Sequence, residues 1–211
     1  MLNVIILNGG RGASSIIPAL LSRQRLHVTS IVNAYDDGKS TGVIRKFFGM
    51  LGPSDIRKVQ ELMLPKDDPD HEKYVRLFQF RFPLDFNRKD VLEQLKLFSD
   101  SESMELVGIR LNNIRVREKL QSFLSEFLTG LNTIEKARQE QFDFADCSIM
   151  NCLYAGAFLA SNRNIEQATI SIDRLFQLRG KVLPTSIEAV SYTHLRAHET
   201  RHDLVCRLLL E

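Results

Sequence analysis

Two adjacent carboxylates, Asp36 and Asp37, are followed by Gly38, Lys39, Ser40 and Thr41, with Arg45 about one helical turn further on. Neighbouring side chains point in different directions. One of the two acids would therefore reach a divalent ion or act as a base while the other orients the loop. Lys39, as a point charge, and Arg45, as a fork, suit phosphate oxygens. A second group precedes it, Asn8-Gly9-Gly10-Arg11-Gly12-Ala13-Ser14, in which glycines let backbone N–H groups approach an anion at a helix start. A third, Pro53-Ser54-Asp55-Ile56-Arg57-Lys58, adds one acid and two bases at another helix start. The chemistry of the set is phosphate binding. Neither glycine loop is a standard fingerprint: G-x-G-x-x-G read from Gly10 needs glycine where Ser15 stands, and a Walker A loop ending at Gly38 needs glycine where Asn33 stands. A tight strand-to-helix turn requiring positive φ is the alternative for the first loop, and a solvated turn for the second.

The elements that must position these loops follow from the apolar pattern. Residues 4–7 and 26–32 are short, continuous, β-branched runs that read as buried strands. Between them Ser14 or Ser15 can cap a helix with Ile16, Ile17, Leu20 and Leu21 on its apolar face. This is a βαβ unit with parallel strands, and loops at the carboxyl ends of such strands converge on one crevice. Residues 41–50 read as a short helix, and Ser54 or Asp55 is expected to cap another through Ile56, Val59, Leu62 and Met63. Residues 67–142 read as a helical insertion in which Leu106, Ile109, Ile114, Leu120, Phe123, Phe127 and Leu131 recur at helical spacing and the phenylalanines pack a core. Helices are expected over 142–160 and 165–178, with a break at 162–164, and Gly180 stops the second before a strand. The insertion alone would also fit a helical scaffold for protein partners.

Composition places the 211-residue chain among ordinary globular proteins, with 44% hydrophobic and 26% charged residues. No apolar run approaches the roughly 20 residues of a membrane span, and the amino end lacks a basic n-region, so the expected setting is the cytoplasm, with no membrane partner. A formal charge of +2, with acids and bases interleaved, disfavours DNA or RNA as a partner. Cys147, Cys152 and Cys206 form no CxxC pair. Cys147 and Cys152 are expected in the core, and their spacing should not bring both thiols to one helix face.

Residues 191–211 change in character and resemble a peptide translated from sequencing-adapter or cloning DNA. The segment contains His198-Glu199-Thr200-Arg201-His202, an H-E-x-x-H pattern that signifies zinc chemistry only within a preorganised fold. It is set aside as non-native. On this reading residues 1–190 form one α/β domain whose carboxyl end is incomplete.

The motifs, with Asp143-Phe144, Ser148-Ile149-Met150-Asn151 and Arg179-Gly180-Lys181-Val182-Leu183-Pro184, resemble in order and spacing the CofD-like superfamily, which includes 2-phospho-L-lactate transferase and the gluconeogenesis-factor proteins. The resemblance implies an α/β fold, a Rossmann-like three-layer parallel sheet with a largely helical insertion. It implies a ligand or phosphate site at Asn8, Gly9, Gly10, Gly12, Gly38, Lys39, Ser40, Arg45, Asp55, Arg57 and Asn151. In a transferase Asp36 and Asp37 would be catalytic and hold Mg²⁺ while a phosphate-linked group leaves a nucleotide-activated donor. In the gluconeogenesis-factor branch the same site would hold a UDP-sugar without turnover and serve regulation of carbon metabolism and cell-wall synthesis. Either way the expected partner is a nucleotide-diphosphate-type small molecule, and a homo-oligomer is left open. The sequence departs from the family's pattern at Met150, where glycine is common, and at Lys39, where the gluconeogenesis-factor branch has a second glycine. Either change crowds the backbone near the ligand.

Overall fold

A computed structural model describes residues 2–9, 11–36, 38–100 and 103–186. Gly10, Asp37 and the segment 191–211 with its H-E-x-x-H pattern and Cys206 lie outside the described residues, as do the side chains of Arg11 and Lys39.

The first strand, β1 (Leu2–Asn8), runs through a short 3-10 helix (Arg11–Ala13) into α1 (Ile16–Leu21) and returns as β2 (Leu26–Val32). β1 and β2 pair in parallel, Leu2 opposite Leu26 and Asn8 opposite Val32. Helices α2 (Lys39–Phe48), α3 (Ser54–Leu62), α4 (His71–Gln79) and α5 (Arg88–Ser99) follow. A small hairpin, β3 (Glu105–Leu106) and β4 (Ile109–Arg110), then leads into α6 (Ile114–Arg138), α7 (Ile149–Ala160), α8 (Ile165–Leu175) and the last strand, β5 (Lys181–Pro184). β5 joins β2 in parallel with Pro184 opposite Val32, so the order is β1-β2-β5 and the three strands end level at one edge. Val28, Ser30, Val32 and Val182 share the buried face. Ile5 and Leu7, on the alternate face of β1, are exposed.

The helical insertion is built on aromatic packing. Phe142 and Phe144 meet edge to face at 4.9 Å, and Phe47, Phe48, Phe82 and Phe127 close around them. α6 and α7 approach so closely that a Cβ on Gly156 would stand 1.7 Å from the Phe123 carbonyl oxygen, which leaves glycine as the residue that fits there.

Several local expectations change. Leu106 and Ile109 are strand rather than helix residues, because Val107 (φ 49°) and Gly108 (φ 74°) form a two-residue turn with the positive dihedrals that favour a hairpin. The helix expected over 142–160 starts at Ile149, since the segment before it turns at left-handed Asp146 (φ 52°) and is then tied to its neighbour: Phe82 N donates to Cys147 O at 2.9 Å and Arg81 bridges to Ser148. The last insertion-side helix, α8, stops at Leu175 rather than 178. Ser54 and Asp55 are inside α3 rather than capping it, with Pro53 at the cap position.

Candidate functional site

Because the strands finish level, the loops after β1 and β2 leave from one edge. Their junction is tied by Asn33 N donating to Asn8 O at 3.1 Å. Asn8 turns its Nδ2 back onto the buried Ser30 hydroxyl, locking the end of β1 to β2. The next loop is shaped by two side-chain turns: Tyr35 N donates to Asn33 Oδ1 at 3.1 Å and Gly38 N to Asp36 Oδ1 at 2.9 Å. One oxygen of Asp36 therefore holds the loop. Gly52 clamps it from the other side, with Gly52 N donating to Ala34 O at 2.9 Å. A Cβ there would lie 2.8 Å from Asp36 O and 2.9 Å from Thr41 Cγ2. The hydroxyls of Thr41 and Ser54 bond to each other, joining the starts of α2 and α3. That bond takes the Ser54 hydroxyl that sequence reasoning expected to cap α3.

Helix starts differ in how they are capped. α5, α6 and α8, away from the sheet edge, are capped by the side chains of Asn87, Asn113 and Asn164. α2, α3 and α7 have no side-chain cap bond; the first amide of α7, Ile149 N, donates instead to Phe80 O at 3.3 Å, and Thr41 N in α2 to Gly38 O at 2.9 Å. α1 and α4 also lack one, with Asp70 before α4 engaged by Lys73 at 2.6 Å.

The glycines of the first loop differ from those in the core. Gly9 and Gly12 both lie outside the left-handed region, and a Cβ on either would meet nothing within 4 Å among the described residues. The turn requiring positive φ is thus not what demands them.

Among the other candidates, Asp55 is spent on its own helix start, its Oδ1 accepting from Lys58 Nζ at 2.8 Å. Arg57 is buried, and its Nη1 donates to Phe78 O, tying α3 to the end of α4. Arg45 lies half-buried along α2, its Cδ against Gly52. Ser40 is buried and receives Arg81 Nη1 at 3.3 Å. Asn151, in the first turn of α7, is fully buried, and neither its Nδ2 nor its Oδ1 has a partner among the described residues; the hydroxyl of Ser148, the cap residue, is in the same condition.

Sequence reasoning missed Arg81. Its Nη1 also donates to Asp146 O at 2.7 Å, so one guanidinium joins the α2 start to the segment before α7. A lone arginine between phenylalanines carries no local signal. Arg81, Arg57, Lys58, Glu61, Gln79 and Ser14 line a cavity of about 390 Å³ beside the first glycine loop.

A buried polar strut beneath α3 was also not legible. Gln60 Nε2 donates to Asp173 Oδ1 at 2.6 Å, Tyr154 O–H donates to Gln60 Oε1, and Asp173 Oδ2 accepts from Val182 N at 2.9 Å. It connects α3, α7, α8 and β5. Burial pushes the Asp173 carboxyl up to about 6, against the bonds from Val182 and Gln60 that favour its charged form.

Cys147 and Cys152 are buried as expected, yet their Sγ atoms lie 3.9 Å apart, because Cys147 precedes α7 and its thiol is not bound by helical spacing. Among the described residues no group of three or more His, Cys, Asp or Glu could hold a metal. Mg²⁺ keeps waters and takes one or two carboxylates together with substrate phosphates, so the remaining oxygen of Asp36 fits that role only alongside a ligand. No described helix is long and apolar enough to cross a membrane.

Three comparisons place this architecture. Residues 4–202 match the family described as 2-phospho-L-lactate transferase CofD. The gluconeogenesis factor of Listeria innocua is 40% identical over 82 residues, which are 39% of this chain and 24% of that protein. The gluconeogenesis factor of Listeria monocytogenes is 42% identical over the same length and shares of the two chains. The matched region is thus about a quarter of each relative's length. A crystal structure of a UPF0052-family protein from Bacillus halodurans superposes with a TM-score of 0.56 at 21% identity, covering 89% of this chain and 40% of that one, which is likeness of fold. With the match to the family extending over nearly all of its residues, the chain belongs to the CofD family.

Proposed function

We propose that the chain binds a nucleotide-diphosphate-type ligand at the carboxyl edge of the sheet. The observation that carries this reading is the pair Gly9 and Gly12: glycine raises the entropic cost of folding, and here neither backbone conformation nor packing calls for it. What an absent side chain leaves is room for a ligand to reach backbone N–H groups. In this reading those amides, with the α2 start at Lys39 and Ser40, face phosphate oxygens, while Gly38 turns the loop toward them and Arg45 and Arg57 supply positive charge behind them. Lys39 adds its charge at the start of α2, and Asn8 and Asn151 orient the loops.

In the gluconeogenesis-factor branch, whose name the matched relatives carry, the role would be binding, with a UDP-sugar held without turnover in control of carbon metabolism. The family's description favours a second reading, transfer of a phosphate-linked group. There Asp36, with Asp37, would hold Mg²⁺, which when bound neutralises charge on the diphosphate. The protein's own part would be to fix the donor with amides and guanidinium groups and to orient the acceptor oxygen.

Calorimetry of the full chain with UDP and with UDP-N-acetylglucosamine tests the binding. The expected result is saturable binding of both. A parallel incubation with a nucleotide-activated phospholactate donor, a deazaflavin alcohol and Mg²⁺ assigns turnover by product formation. Absence of binding together with absence of product would reject the site.

A further inference from the structure

Among the described residues, every side-chain contact that Arg81 makes to a polar group leaves from one nitrogen. Nη1 donates to Asp146 O at 2.7 Å and to Ser40 Oγ at 3.3 Å, and lies 3.4 Å from Asp146 Oδ1. Nε and Nη2 have no bond among the described residues, and the side chain is 36% exposed. The main acceptor is itself held in an uncommon conformation, since Asp146 has φ 52°, in the left-handed region. The guanidinium is therefore aimed by one edge and open along the other.

That side chain lines the cavity of about 390 Å³ beside the first glycine loop, together with Arg57 and Lys58. Ser14, from the loop after β1, contributes a hydroxyl. The carboxylate in the lining, Glu61, already accepts from Gln79 Nε2 at 2.5 Å. The wall thus offers donors and positive charge. An open guanidinium edge matches two oxygens of one phosphoryl group, which an ammonium cannot do.

We propose that Arg81 is a ligand-contacting residue whose Nε/Nη2 edge grips a phosphoryl oxyanion in this cavity. Through its bond to Ser40 it couples that grip to the start of α2. The inference rests on the diphosphate-binding reading above, and adds the residue and the cavity that select a phosphoryl end over a neutral one.

The experiment uses the full chain with pyrophosphate and with UDP as probes, for the parent protein, Arg81→Lys and Arg81→Met. Calorimetry gives affinity, ¹⁵N-resolved arginine Nε–H signals report the contact, and a thermal melt reports folding. Pyrophosphate is expected to shift one Nε–H signal, the one missing from Arg81→Lys. Binding should weaken about tenfold in Arg81→Lys and about 100-fold in Arg81→Met, with the melting temperature of the lysine variant unchanged. If Arg81→Met does not fold, the lysine variant decides. Equal binding by parent and Arg81→Lys, or a lysine variant that loses stability and binding together, overturns the role of Arg81 and leaves the site standing. A parent protein that binds neither probe overturns both.

Discussion

Replacing Gly12 by alanine should separate stability from binding. Gly12 lies in the 3-10 helix Arg11–Ala13, outside the left-handed region, and the position its Cβ would take has no atom of the described residues within 4 Å. Alanine restricts the unfolded chain without strain in the folded one, which stabilises by about 0.4–1 kcal/mol. For a chain of this size that corresponds to a rise of about 1–4 °C in Tm. The same methyl group would stand where a phosphate oxygen must come within about 3 Å of the backbone N–H. Loss of a hydrogen bond to a charged oxygen costs about 1.5–3 kcal/mol, or roughly 10- to 100-fold in affinity. Thermal melts and calorimetry with UDP read the two effects on one preparation. A variant that is more stable and binds weakly supports the reasoning. A variant less stable than the parent shows that the glycine serves the fold, and one that binds as before shows that no ligand approaches there; either result refutes it.

Gly52→Ala should instead be destabilising by about 1–3 kcal/mol, because its Cβ would meet the backbone oxygen of Asp36 at 2.8 Å, and chemical denaturation would show a lower midpoint with no compensating gain. The folded Asp173 carboxyl titrates near 6 against an ordinary 3.8, so the folded state retains a proton that the unfolded state has lost. Stability from that group is fully present below about pH 4 and is lost as pH rises through about 6, on the order of 2–3 kcal/mol. The difference in unfolding free energy between the parent and Asp173→Asn should therefore change across that window, and a constant difference would contradict the burial argument. Asn113→Ala should cost about 1 kcal/mol, since its Oδ1 accepts from Arg115 N at 3.1 Å and Val116 N at 3.3 Å; UDP affinity should not move, as α6 starts away from the sheet edge.

What could be read directly from the residues is what short-range physics controls. β2 occupies the expected residues 26–32, and β5 follows Gly180, because a continuous apolar run bounded by polar residues has few other ways to bury itself. The break at 162–164 is confirmed by left-handed Asn162 and Arg163. The level ending of parallel strands, and with it the meeting of the two loops, follows from the βαβ pattern. Other features depend on partners far along the chain. The Ser54 hydroxyl is taken by Thr41, so it does not cap its helix. Gln60 meets Asp173 across 113 positions, and Arg81 reaches Asp146 across 65. The glycines make the distinction clearest: alike in sequence, Gly52 and Gly156 are squeezed by backbone from other segments, whereas Gly12 meets none of the described residues. Local pattern specifies where the chain bends and which face is apolar. Whether a bend is filled by protein or left for a ligand is decided by long-range packing.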